Sequence, residues 1–214
     1  MLRSPKKLFI YFGLFIGIYI GMIFLVRGTG LDTAYRSFFC SYQMAWFNAF
    51  GDDEVEMTIT PQPYALFEGS DITFTFMNKA EKAHAIRDAQ ARGLTNVSVK
   101  TANWGLNTWL YAVMPLLFFI ALLIATPVPW KRRVITFIVG ITILHLYFCM
   151  RLNLELGEQV AFSDFLSTKP VSDFSRTTWD FMHRVLNLEF NYFVGVVVWL
   201  VFTFRKKDFR GFLK

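Results

Sequence analysis

Charge is scarce in this 214-residue chain: 18% of residues are Asp, Glu, Lys or Arg, against about a quarter in a typical soluble domain. Cysteine is scarcer, with only Cys40 and Cys149, too few for a disulfide framework. Histidine occurs three times, and the sequence contains no Walker loop, GxGxxG, HExxH or CxxC. These absences argue against a disordered chain, a coiled coil and an ordinary cytosolic enzyme. What is present is apolar: 54% of residues are hydrophobic, 18% are aromatic and 25 are Phe. The net charge of +6 does not point to nucleic acid, because the basic residues gather at the ends of apolar runs, which is a topology signal.

Four uncharged apolar runs stand out: Leu8 to Val26, Leu106 to Pro129, Val134 to Met150 and Phe190 to Phe204. A helix needs roughly 20 residues to cross about 30 Å of hydrocarbon. The first two runs are long enough; the other two must borrow flanking residues, such as Leu186 to Glu189, or thin the bilayer locally. The first run follows a basic start, MLRSPKK, but its apolar core is longer than that of a signal peptide and no small-x-small site follows it, so it reads as a retained helix.

The basic residues set the orientation. Arg3, Lys6 and Lys7 precede run one, Lys131, Arg132 and Arg133 join runs two and three, and Arg205, Lys206, Lys207, Arg210 and Lys214 follow run four. If all four runs span, these clusters share one side, and both termini are cytoplasmic. The expected fold is therefore an α-helical membrane protein with four transmembrane helices, N-in and C-in, plus a small extracytoplasmic α+β module and interfacial amphipathic helices. The expected divisions are 1–27 (cytoplasmic start and first span), 28–105 (extracytoplasmic), 106–150 (helical hairpin), 151–187 (extracytoplasmic, interfacial) and 188–214 (fourth span and basic tail).

Within 28–105, residues 31–50 place Leu31, Tyr35, Phe38, Tyr42, Ala45 and Ala49 at helical spacing, with Phe39, Trp46 and Phe50 widening the stripe, as in a helix lying on the membrane surface. A β-module is expected over 54–102. EVEMTIT and DITFTFM alternate as half-buried strands, Ala80 to Ala91 forms a covering helix, and NVSVKT (96–101) is a third strand. Ser172 to Val185 reads as a second interfacial helix, after a turn at Lys169 and Pro170.

Gly13, Gly17 and Gly21 form a tandem GxxxG whose flat face admits another helix closely, either one of this chain's own or another subunit's. His145 is the one ionisable side chain well inside a run, with Cys149 at i+4. A hydrogen-bonded structural histidine is the preferred reading; axial ligation of a haem or pigment is the alternative. Arg151 has Glu155 at i+4 and Glu158 at i+7, with Glu189 at the start of the fourth run, which reads as an interfacial salt bridge or a lipid-headgroup contact, the alternative being an oxyanion-stabilising arginine. Cys40, Arg151 and His183 would make a transpeptidase-like set if the fold joined them, but Cys40 sits on the surface helix rather than in a Gly-flanked loop.

From TANWGLNTW through ALLIATPVPWKRR and HLYFCMRL to VVVWLVFTFRKKDF, roughly residues 101–210, the chain resembles small bacterial exosortase-associated (archaeosortase/exosortase-like) membrane proteins. Exosortases are membrane cysteine transpeptidases with a Cys, Arg, His order. Here Cys40, Arg151 and His183 keep that order, but Ser41 and Tyr42 follow the cysteine instead of a Ser-Gly pair, and the spans are fewer. The resemblance implies an accessory or degenerate relative. The expectation is a non-enzymatic subunit of a bacterial inner-membrane complex, with no catalytic residue, metal or cofactor, partnered by the lipid bilayer and other membrane subunits and not by nucleic acid. The alternatives are a cysteine transpeptidase using Cys40, Arg151 and His183, and a cofactor-holding electron-transfer or photosynthetic subunit using His145.

Overall fold

Uninterrupted apolar sequence with no Pro or Asp/Glu in its interior makes the first helix, α1 (Pro5–Thr29), which ends where Gly30 adopts a positive φ of 71°. The protein is described here by a computed structural model covering residues 5–61, 68–166, 172–185 and 188–204. Arg3, the basic tail, residues 62–67 and the turn expected at Lys169 and Pro170 lie outside the described residues. After α1 come α2 (Leu31–Phe50), β1 (Val55–Pro61), β2 (Ile72–Asn78), α3 (Lys79–Ala91), β3 (Ala102–Leu106), a π-helical turn (Trp109–Val113), α4 (Met114–Ala125), α5 (Trp130–Ala161), α6 (Asp173–Val185) and α7 (Leu188–Thr203). The chain forms two units: residues 1–35, 109–148 and 186–214, and residues 36–108 and 149–185, so that α2 and α5 contribute to both.

The first unit is helical. α1 runs antiparallel to α4, since Phe15 meets Phe118 edge-on at 5.2 Å, Tyr19 reaches Met114, and Arg27 lies 4.5 Å over the Trp109 ring. α7 runs parallel to α4: Asn191 bonds to Tyr111, Tyr192 meets Phe118, and Trp199 bonds to Thr126. α5 opposes both, with Gly140 against Phe119, Phe148 against Tyr111, and Thr136 bonded to the Phe202 carbonyl at 3.1 Å. The chain therefore passes up, down, up and down through α1, α4, α5 and α7.

The run expected to span from Leu106 to Pro129 begins differently. Leu106 closes a strand, and the helix starts as a π turn. Pro115 has no N–H to offer the Tyr111 carbonyl four residues earlier. The Asn191 amide, fully buried, donates to that carbonyl at 2.7 Å instead. A widened turn with an outside donor is the usual repair of a broken helix ladder. α5 corrects a second expectation, because the helix does not stop at Met150 but continues through LNLELGEQVA to Ala161. The sequence after Met150 is more polar but holds no proline, so the helix continues.

The second unit contains an antiparallel sheet in the order β1-β2-β3. Val55, Met57, Ile72, Phe74, Phe76 and Leu106 are its buried apolar side chains, and Thr73 is buried with them. The third strand is Ala102–Leu106 rather than 96–101. Phe74 pairs with Trp104, rings 5.6 Å apart, and Ile72 pairs with Leu106, so this register buries large side chains that Val97 and Val99 do not offer. The expected covering helix, α3, is capped by Asn78, whose Oδ1 accepts from the N–H groups of Ala80 and Glu81. Yet it buries only Ala89. α2 supplies the apolar cover: its buried stripe is Phe39, Gln43 and Phe47, and the Phe47 ring meets Phe76 at 5.9 Å. The side of α2 read from the sequence as its apolar stripe instead carries an aromatic ladder, Phe38, Tyr42, Trp46 and Phe50, with its ends exposed.

Candidate functional site

In the helical unit the polar centre is His145 on α5. Nδ1 lies 2.8 Å from the Ile141 carbonyl, which only accepts, so Nδ1 carries the hydrogen. In the neutral ring Nε2 then accepts from the Tyr35 hydroxyl at 3.2 Å. Both ring nitrogens are engaged within the protein. Axial ligation at Nε2 would first require Tyr35 to leave. Among the described residues no group of three or more His, Cys, Asp or Glu is placed to hold a metal ion.

Two polar clusters stand out among the described residues of the second unit. In one, Cys149 is fully buried, receives the Gln43 Nε2–H at 2.8 Å and is hydrogen-bonded to Tyr42. Gln43 is itself buried, a polar residue on the core stripe of α2 that the thiol satisfies. In the other, Arg151 is only 5% exposed and its Nε donates to Glu155 at 2.8 Å, one helical turn on. That is the salt bridge the i, i+4 spacing indicates.

Cys40 sits on α2, half-buried. Burial, reinforced by the negative charge of Asp71 and opposed by Arg36, pushes its thiol up to about 11. A cysteine nucleophile needs the opposite shift, toward thiolate at neutral pH. The Asp71 carboxylate is in turn held by the backbone N–H of Thr108 at 2.8 Å and by the Thr108 hydroxyl. Glu155, not Cys40, is the described ion-pair partner of Arg151, and the His183 side chain lies outside the described residues.

The glycine stripe is placed on a free face. A methyl group added at Gly13, Gly17 or Gly21 meets nothing within 4 Å. Phe15 and Tyr19, two residues on from Gly13 and Gly17, point to α4, so the glycines lie on roughly the opposite side of α1. Among the described residues, no other helix of this chain packs closely on these glycines. The close approach instead occurs at Gly140, where an added methyl would lie 2.1 Å from Phe119 Cζ. The sequence signal for Gly140 was weak, a lone glycine in an apolar run.

Among the described residues two helices, α1 from Phe9 and α5, are long and apolar enough to cross a membrane; α7 and the stretch from Trp109 to Ala125 are apolar but shorter. α1 leaves Phe9 73% and Phe24 71% exposed. No protein-family model, curated protein or solved structure matches this chain.

Proposed function

We propose that the protein is a four-span, non-enzymatic accessory subunit of a bacterial inner-membrane complex, with both termini cytoplasmic, docking a partner helix on the glycine face of α1. The single observation that carries the reading is α1 itself: an apolar helix packed along one side, with its small-residue stripe open on the other. Exposed Phe9, Phe12, Phe24 and Leu25 are strongly unfavourable in water and favourable in lipid. Small residues four apart let a second helix approach closely where lipid leaves no hydrophobic drive to associate.

Further support comes from the direction of the helices. The up-down-up-down order of α1, α4, α5 and α7 puts the start of α1, the Lys131–Arg133 link and the end of α7 at one end, as the positive-inside bias requires. α7, with 16 residues, is about 24 Å long, so it fits a locally thinned bilayer or one bounded by flanking polar residues. The exposed aromatic ladder of α2 suits the interfacial zone. The exosortase-like marks over 101–210 belong to the same proposal, and make a membrane transpeptidase a fitting kind of partner.

The test is extraction of the tagged protein from native membranes in mild detergent. A membrane subunit is expected to co-purify with the parent and to be lost with Gly17→Leu, which meets no atom of this chain within 4 Å at its Cβ and so leaves the protein's own fold intact. A parent that emerges alone, or a companion equally abundant on Gly17→Leu, contradicts the reading.

A further inference from the structure

We propose that the outer edge of β3 takes an extended segment of another polypeptide as a fourth strand, with a lysine or arginine of that segment reaching Glu68. The site lies wholly in the second unit and is independent of the helix contact proposed for α1.

β3 stands at one edge of the sheet, since the strand order is β1-β2-β3. An edge strand turns alternate N–H and C=O groups away from its neighbour, and proteins blunt such edges with charge, proline or a cover. The opposite edge is blunted in this way: β1 carries Glu56, ion-paired to Lys82 of α3 at 2.7 Å, and ends on Pro61. From Asn96 to Leu106 the chain reads NVSVKTANWGL, with Lys100 its one charge and no proline. Among the described residues, the hydrogen bonds and ring contacts of Asn103, Trp104 and Gly105 all go to β2. Asn103 Oδ1 accepts from Thr75 at 2.8 Å, the Trp104 ring meets Phe74, and Gly105 pairs with Thr73. Residues 96–100, which alternate as a strand does, pair with nothing among the described residues, and all but the half-buried Val99 are exposed.

A second observation points to a ligand. An open pocket of about 400 Å³ is lined by Asn103, Trp104 and Gly105 together with Glu68 and Ser70. Successive side chains of a strand face opposite sides, so a pocket that touches three consecutive residues follows the strand's backbone. Gly105 has no side chain to fill it. The loop bearing Glu68 is fastened beside the strand end, because Asn107 Nδ2 donates to the Gly69 carbonyl at 2.6 Å. Strand addition draws affinity from main-chain hydrogen bonds and selectivity from pockets for alternate side chains. Glu68 is exposed, is the one ionisable residue lining this pocket, and has no ion-pair partner among the described residues. A basic side chain on the incoming strand complements it.

The experiment offers a displayed library of random peptides to the full-length protein in neutral detergent, and measures the affinity of enriched sequences by fluorescence anisotropy. Enriched peptides are expected to be rich in β-branched and aromatic residues, with a Lys or Arg at a fixed place. Methylating their backbone nitrogens singly should weaken binding about tenfold at every second position and little between, because only alternate N–H groups face β3. Glu68→Gln should weaken binding about threefold and Glu68→Lys about tenfold. Glu68 is an exposed loop residue, so both variants keep the fold, and the methylation series needs no variant at all. Absence of enrichment over a protein-free surface, binders indifferent to which nitrogen is methylated, or binders indifferent to both Glu68 variants overturns the proposal. A dimer in detergent that takes up no peptide would assign the edge to a second copy of this chain and overturn it as well.

Discussion

Glu155→Leu is expected to destabilise the protein by about 3–5 kcal/mol, the cost of removing a carboxylate that a buried guanidinium contacts. Arg151 is almost fully buried on α5, and the Glu155 carboxylate meets its Nε at 2.8 Å from the next turn. An exposed i, i+4 pair would be worth only about 0.3–0.5 kcal/mol; burial is what raises the stake. The loss should show as an earlier midpoint in heat-induced unfolding of the detergent-solubilised protein. Arg151→Met combined with Glu155→Leu should recover most of it, because an apolar pair of similar volume replaces the two ions together. That recovery also separates the two roles considered for Arg151. A structural arginine gives a stable, functional double variant, whereas an oxyanion-stabilising one gives a stable but inactive protein. Midpoints for Glu155→Leu indistinguishable from the parent would show that the pair does not hold this part of α5.

Gly140→Ala is expected to cost about 1–3 kcal/mol through overpacking. Alanine is the better helix former by about 1 kcal/mol, so on an open face the same change stabilises. At Gly140 the new methyl would stand 2.1 Å from Phe119 Cζ and 2.8 Å from Cε1, and the Phe119 ring is wholly buried, with no solvent to swing into. At Gly17 nothing lies within 4 Å, so Gly17→Ala should leave stability unchanged or slightly higher. Adding Phe119→Leu to Gly140→Ala should relieve the clash and return part of the loss. Thermal unfolding of the three variants in one detergent checks the pattern. Equal stability of Gly140→Ala and Gly17→Ala would contradict the packing of α4 on α5.

Much of the chain was legible where one period dominated. The helix from Leu31 to Phe50 was placed at its observed bounds, and β1 and β2 were placed within a residue, because alternation and i, i+4 spacing there are uninterrupted. The third strand slipped because NVSVKT alternates as well as ANWGL does, and only the partner strand's Phe74 and Ile72 decide between them. α5 was cut short because hydropathy reports surroundings, whereas Leu152, Leu156 and Val160 keep a buried stripe going among polar neighbours. At the sites, the Arg151–Glu155 pair and the hydrogen-bonded His145 followed from spacing and chemistry. Gln43 and Asn191 did not: a single polar residue in an apolar stretch does not announce which carbonyl or thiol it will satisfy. Pro115 was the available clue for Asn191, since a proline inside an apolar run leaves one carbonyl in need of a donor.

The central claim is that α1, α4, α5 and α7 each cross the membrane, with the basic ends together. Its most direct test is cysteine-accessibility labelling in intact cells, with single cysteines introduced at Asp88 on α3, at Lys131 and after Lys214 in a background lacking Cys40 and Cys149. The account predicts that an impermeant maleimide labels the Asp88 position from outside, and the other two only after the membrane is opened. Labelling of the Lys131 or C-terminal cysteine from outside, or of the Asp88 cysteine only from within, would contradict it.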